Sequence, residues 1–116
     1  MTSTGARIVH LPDLPPTPCP CGTARRGFAD LADLPMTVHL TDISIDAREH
    51  HHERQTEVYV ILECDAGAAI ELDGVRHPVR PHTSIYIPPG VRHRAVGRMK
   101  VLIVCAPKFD ASDEFE

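Results

Sequence analysis

From residue 37 onward the chain alternates between apolar and polar residues in a way its first third does not. Thr37-Val38-His39-Leu40-Thr41-Asp42-Ile43-Ser44-Ile45 has the period-two pattern of a half-buried strand. Residues 57–63, rich in Val, Ile and Tyr, predict a second strand, which Asp65-Ala66-Gly67 ends. Ala69-Ile70-Glu71-Leu72 and Val75-Arg76-His77-Pro78-Val79 read as a hairpin, because Asp73-Gly74 supplies the positive φ angles of a tight type I′ turn. Thr83-Ser84-Ile85-Tyr86-Ile87 is another strand, stopped by Pro88-Pro89-Gly90. A short segment, 91–96, and a strongly apolar strand, 99–106, follow. Many short strands between regular turn signals predict an all-β sandwich or barrel.

The first third reads differently. Residues 12–20 hold five prolines, and proline lacks the amide donor that a central strand or helix interior needs. An extended, irregular arm lying over the domain is expected there. Ile8-Val9 suggests a short edge strand. Ala24, Phe28, Leu31 and Leu34 suggest a helical turn within 23–34. At the other end, the acidic tail 110–116 predicts one helical turn capped by Asp110, or a frayed end. The expected organisation is an arm over 1–36, a barrel over 37–106 and a tail over 107–116, all in one domain.

Composition narrows the function classes. A chain of 116 residues suits one core, and the lack of Trp makes that core aliphatic. A net charge of −4 argues against a nucleic-acid surface. No apolar run approaches the roughly 20 residues that span a bilayer, and residues 1–7 do not open a signal peptide. A soluble cytoplasmic protein, with no membrane partner, is the expectation. In that setting the four cysteines are read as thiols. Cys105, inside the apolar strand, is a buried small residue, and Cys19-Pro20-Cys21 alone is a weak signal for a second zinc site.

The chemistry concentrates in His50-His51-His52-Glu53-Arg54-Gln55-Thr56-Glu57, which runs into the strand at 57–63. On extended backbone, residues i and i+2 share a face, so His50 and His52 present their rings together and His51 points away. Four residues then allow a bend that returns Glu57 toward the same point, and a later strand can supply His93. Three neutral imidazoles and a carboxylate suit a borderline divalent ion, with ligand distances of about 2.0–2.2 Å. The bland alternative is a solvated histidine patch.

These residues resemble the two motifs of the cupin superfamily. The first, His-x-His followed by Glu and an apolar strand, is matched by His50, His52 and Glu57. The second, Pro-x-Gly-x-x-His, is matched by Pro88-Pro89-Gly90-Val91-Arg92-His93. The family usually carries Gly where this chain has Ser44, Cys64 and His82, and Asn where it has Gly97. The resemblance covers about residues 37–106. It implies a small single-domain jelly-roll (double-stranded β-helix) barrel, often a homodimer, with one divalent transition metal inside. Mn, Fe, Ni, Co, Zn and Cu all remain open.

Tyr59, two residues after Glu57, should share its inward face and is the tentative catalytic residue, as a hydrogen-bond donor or weak acid. Otherwise it is a core aromatic. Arg25 and Arg26 can bind a carboxylate or phosphate at the barrel mouth, or stay solvated. Arg92 and Arg94 should point away from the site, and His77 and His82 toward solvent or the rim. The leading reading is a metalloenzyme acting on a small polar metabolite, by Lewis-acid isomerase, epimerase or lyase chemistry or as a dioxygenase. A non-catalytic module that binds or senses a small ligand is the alternative. A purely structural or storage role does not need three His and a Glu inside a barrel.

Overall fold

The computed structural model describes residues 5–116. The signal-peptide reading rests partly on residues 1–4, outside that range. Nine strands form among the described residues. They are β1 (Thr17–Cys19), β2 (Gly22–Gly27), β3 (Thr37–Ile43), β4 (Thr56–Cys64), β5 (Ala69–Leu72), β6 (Val75–Pro78), β7 (Ser84–Ile87), β8 (His93–Val96) and β9 (Met99–Ala106). A six-stranded sheet runs β1-β2-β3-β9-β4-β7, and a three-stranded sheet runs β6-β5-β8. Every pairing is antiparallel. The expected strands are present, and the Asp73-Gly74 turn has both φ angles positive, at 48° and 83°. Between the sheets lies an aliphatic core that includes Ile61, Ile70, Ile85, Ile87, Val101 and Ile103.

Two expectations for the first third do not hold. Residues 22–27 are strand rather than helix. Six consecutive register pairs, from Gly22↔Ile43 to Gly27↔Val38, bind β2 to β3, and this sheet pairing overrides the weak local preference. Phe28, at φ 66°, then turns the chain out of the strand. Ile8-Val9 joins no strand, and Ile8 is 96% exposed. The proline-rich stretch forms a 3-10 turn at Leu11–Asp13 and then β1, an edge strand that tolerates Pro18. At the other end, Ala111–Asp113 is a 3-10 turn whose cap is Asp110, its carboxylate accepting from Ser112 N.

The faces of β3 run against simple hydropathy. Thr37, His39, Thr41 and Ile43 are buried, while Val38 and Leu40 lie half-buried on the outer face. The sheet register continues this outer face sideways. Val38 sits beside Val104 and Val104 beside Val58, and Leu40 beside Leu102 and Leu102 beside Val60. The barrel therefore keeps polar groups inside and two aliphatic rows outside.

Candidate metal centre

His50 and His93, far apart in sequence, are joined backbone to backbone. His50 N donates to His93 O at 3.0 Å, and His93 N donates to His50 O at 2.9 Å. Gly90 N donates to His52 O at 2.6 Å, so the turn before His93 also holds the loop that carries His52. Glu57 stands at the start of β4, facing inward with Tyr59 and Ile61. One ligand atom from each of His50, His52, Glu57 and His93 lies within 4.8 Å of the others, and all four residues are buried.

The donors point the right way for a cation. His50 Nδ1 donates to Arg48 O at 3.2 Å and His93 Nδ1 donates to Val91 O at 3.0 Å, which leaves each Nε2 lone pair free. His93 Nε2 lies 3.2 Å from Glu57 Oε1, and His52 Nδ1 lies 3.5 Å from it. Yet Glu57 Oε1 and His93 Nε2 are buried without a hydrogen-bond partner. Orphaned buried acceptors are costly unless something else satisfies them, and one divalent ion among these four residues would do so. Burial, then the neighbouring His93, holds His50 down at about 4, and burial likewise lowers His52. Both rings are thus neutral and able to coordinate. Burial pushes Glu57 up, but His93, His52 and His50 more than offset it, so the carboxylate stays ionised.

The set opens on a tight cavity of about 20 Å³, room for roughly one water. Its lining includes Arg26, His39, Tyr59, Phe109 and Glu114. Tyr59 packs edge-on against the His93 ring, and burial, then Glu57, raises its hydroxyl well above the usual range, so it stays protonated. Burial also raises the Glu114 carboxyl. Arg26 lies over the Phe109 ring, 3.8 Å from its centroid, with its Nε buried and unpartnered. Arg26 and Phe109 also line a larger outer hollow of about 520 Å³, so this stacked pair separates the hollow from the inner cavity. An apolar hollow of similar size, beside Phe28, Leu31 and Met36, is lined by none of the four clustered residues.

Of the other residues singled out in the sequence, Arg25 turns outward to Leu14 O and Asp42. Arg92 pairs with Glu49 and Arg94 with Glu71, both away from the site as expected. His77 and His82 are exposed, and His82 has a φ of 75°, the conformation for which the family favours Gly. Cys105 is buried and donates to Gln55 Oε1. The sequence reading missed Glu114 and His39, and it missed the service that the C-terminal tail performs. Asp113 accepts from the backbone N of Glu53, Arg54 and Gln55 at 2.9–3.1 Å, and from Gln55 Nε2. His51 and Phe115 exchange two further backbone bonds. The tail thereby fixes the loop between His52 and Glu57. An acidic tail has the same sequence pattern whether it straps a loop or dangles, so only the fold reveals it.

A small antiparallel barrel with a buried three-histidine, one-carboxylate cluster defines the class. Residues 38–105 match the Cupin domain family, and the chain belongs to it. The crystal structure of a protein from Planctomyces limnophilus is 37% identical, covers 99% of this chain and 100% of that one, and superposes with a TM-score of 0.93. Pac13 from Streptomyces, described as a nucleoside dehydratase, is 17% identical over 94% of this chain and 88% of its own, with a TM-score of 0.79. Ectoine synthase from P. lautus is 14% identical over 95% and 88%, with a TM-score of 0.77. No curated protein matches the chain in sequence. Among the described residues no helix is long and apolar enough to cross a membrane.

The buried neutral imidazoles set a pH dependence. Burial, then Arg26, lowers His39 from 6.5 to about 4. Between those values the unfolded chain binds a proton that the folded chain refuses, so stability is full above pH 6.5 and falls as pH drops toward 4. The gap corresponds to roughly 3 kcal/mol from His39. Urea unfolding of metal-free protein at pH 7 and pH 4.5 should show this loss, and His39→Gln should shrink it. An equal loss in the variant would remove His39 as a source.

Proposed function

We propose that the chain is a metal-dependent enzyme performing non-redox, Lewis-acid chemistry, of the lyase or isomerase kind, on a small polar metabolite that carries an anionic group. His50, His52, Glu57 and His93 would hold one divalent transition metal. When bound, it supplies Lewis acidity toward a carbonyl or hydroxyl oxygen. The observation that carries the reading is what faces the cluster: the Tyr59 hydroxyl, which stays protonated, the Glu114 carboxyl, whose proton affinity burial raises, and one cation, Arg26, with an unpartnered nitrogen. A module that only binds a ligand has no need of two such acids in one cavity.

The chain's own residues divide the work. Arg26, reached from the outer hollow, accepts the substrate's carboxylate or phosphate and leaves its stack on Phe109 as the substrate enters. Glu114, whose proton affinity burial raises, delivers a proton to a departing oxygen. Tyr59 donates a hydrogen bond inside the cavity. Two structural neighbours named for small-molecule chemistry, the nucleoside dehydratase and the ectoine synthase, support a reaction of this kind over oxygen chemistry. The test is metal analysis of protein purified without a histidine tag. Turnover of a panel of hydroxy acids and sugar acids is then followed with oxygen uptake recorded in parallel. Turnover without oxygen uptake is expected, with Glu114→Gln lowering kcat by roughly 100-fold and KM little. Substrate-dependent oxygen uptake would assign a dioxygenase instead, and binding without turnover a sensing module.

We also propose a homodimer. The outer rows Val38-Val104-Val58 and Leu40-Leu102-Val60 are half-buried, and Tyr86 beside them is 66% exposed. A second copy laid on this face would cover them. The mass in sedimentation equilibrium decides it, a monomer at high micromolar concentration ending the proposal.

A further inference from the structure

The β1–β2 hairpin carries a pair of sulfurs that the proposed reaction does not use. Cys19 ends β1, Pro20 and Cys21 make the turn, and Gly22 opens β2 opposite Cys19. The turn is tightly fixed: a Cβ on Gly22 would come within 2.2 Å of Asp42 O. The two Sγ atoms lie 2.6 Å apart. Both residues line the cavity that holds His50 and Glu57, but their exposure differs. Cys19 is half-buried on the edge strand, and Cys21 is buried. The other thiols, Cys64 and Cys105, have no such neighbour and are free.

We propose that Cys19 and Cys21 form a redox-active dithiol that reduces a low-molecular-weight disulfide by exchange and closes a Cys19–Cys21 disulfide at the wall of the metal cavity. The Cys19 sulfur attacks one sulfur of the external disulfide R–S–S–R. That bond breaks, the first R–S⁻ leaves and takes up a proton, and Cys19 holds a mixed disulfide. The Cys21 sulfur then attacks the Cys19 sulfur and expels the second R–SH. The pair has lost two electrons and two protons, and the external disulfide has become two thiols.

Three features suit this sequence. A disulfide places its sulfurs about 2.0 Å apart, so the pair closes with a sub-ångström shift. The Cys21 thiol donates to Cys19 and, against burial, brings Cys19 down to about 7, which favours it as the attacking thiolate. The Cys19 sulfur and burial both push Cys21 well above its ordinary range. Once Cys19 is capped in the mixed disulfide, its charge no longer opposes ionisation of Cys21, so the second attack follows the first.

The experiment incubates the full chain, as purified, with oxidised glutathione. Thiols are then counted after unfolding, and the intact mass and the peptide map are recorded. Two of the four thiols should disappear, the mass should fall by that of two hydrogen atoms, and one peptide should contain a Cys19–Cys21 bond. Cys21→Ser should stop at a stable glutathionyl adduct on Cys19, and Cys64→Ser should behave as wild type. Four surviving thiols in the wild type would overturn the proposal. So would a wild-type adduct that persists on Cys19, or a bond that involves Cys64 or Cys105.

Discussion

Replacing His52 with alanine is expected to cut the affinity for a divalent metal by at least about 100-fold, since even partners that only orient a ligand are worth 10–100-fold. His52 is buried, reaches Glu57 Oε1 at 3.5 Å, and sits on a loop rather than in a sheet ladder. The barrel should therefore survive its loss. Without metal, the variant's unfolding free energy should stay within about 2 kcal/mol of wild type, in the usual range for single substitutions. With metal the two should separate. Free metal at 100 times its dissociation constant stabilises the wild type by about 2.7 kcal/mol, and the variant by almost nothing. Chelator competition and urea unfolding with and without metal measure both effects. Undiminished metal binding would take His52 out of the ligand set.

The second large effect is expected seven residues beyond the end of β9. Asp113→Asn should cost about 2–4 kcal/mol of stability and weaken metal binding roughly 10–100-fold, though Asp113 touches none of the four clustered residues. Its carboxylate accepts three consecutive backbone N–H bonds, from Glu53, Arg54 and Gln55, and one from the Gln55 side chain. Burial works against its charge, but the donors of Gln55, Arg54 and Glu53 outweigh burial and hold the carboxyl well below its usual range. An asparagine turns one acceptor into a donor that faces other donors. The loop between His52 and Glu57 would then lose its fixed path. Paired unfolding and metal-competition measurements test this, and a variant that loses stability but binds metal normally would separate the tail from the site.

Both results depend on features unequally legible in the sequence. The clustering of His50, His52 and Glu57 was readable because its spacing is local and tied to strand geometry: His50 and His52 share a face, and Glu57 starts an unmistakable apolar strand. The Asp73-Gly74 turn was readable for the same reason. His39 was harder, because alternation in β3 says that two faces differ but not which one is inside. Here the interior is polar, and Val38 and Leu40 went outward. The helical turn expected within 23–34 missed β2 because its partner, β3, lies a loop away and leaves no mark on residues 23–27. Arg26 was readable as an anion-binding candidate, whereas Asp113 and Glu114 acquire their roles only through contacts across the barrel.

The position of β9 has a consequence for how the protein comes into being. It is the last strand to be synthesised, yet in the sheet it lies between β3 and β4, which do not pair with each other. A nascent chain that ends before Met99 can already pair β4 with β7 and set His93 beside His50, but it has nothing to join that half to β3. Pairing across so long a stretch of sequence is slow compared with local hairpins. The wall of the cavity that β2 and β3 supply, Arg26 and His39 included, therefore closes over His50 and Glu57 only after β9 is made. A ribosome-stalled chain lacking that strand should leave His50 and Glu57 open to solvent on that side.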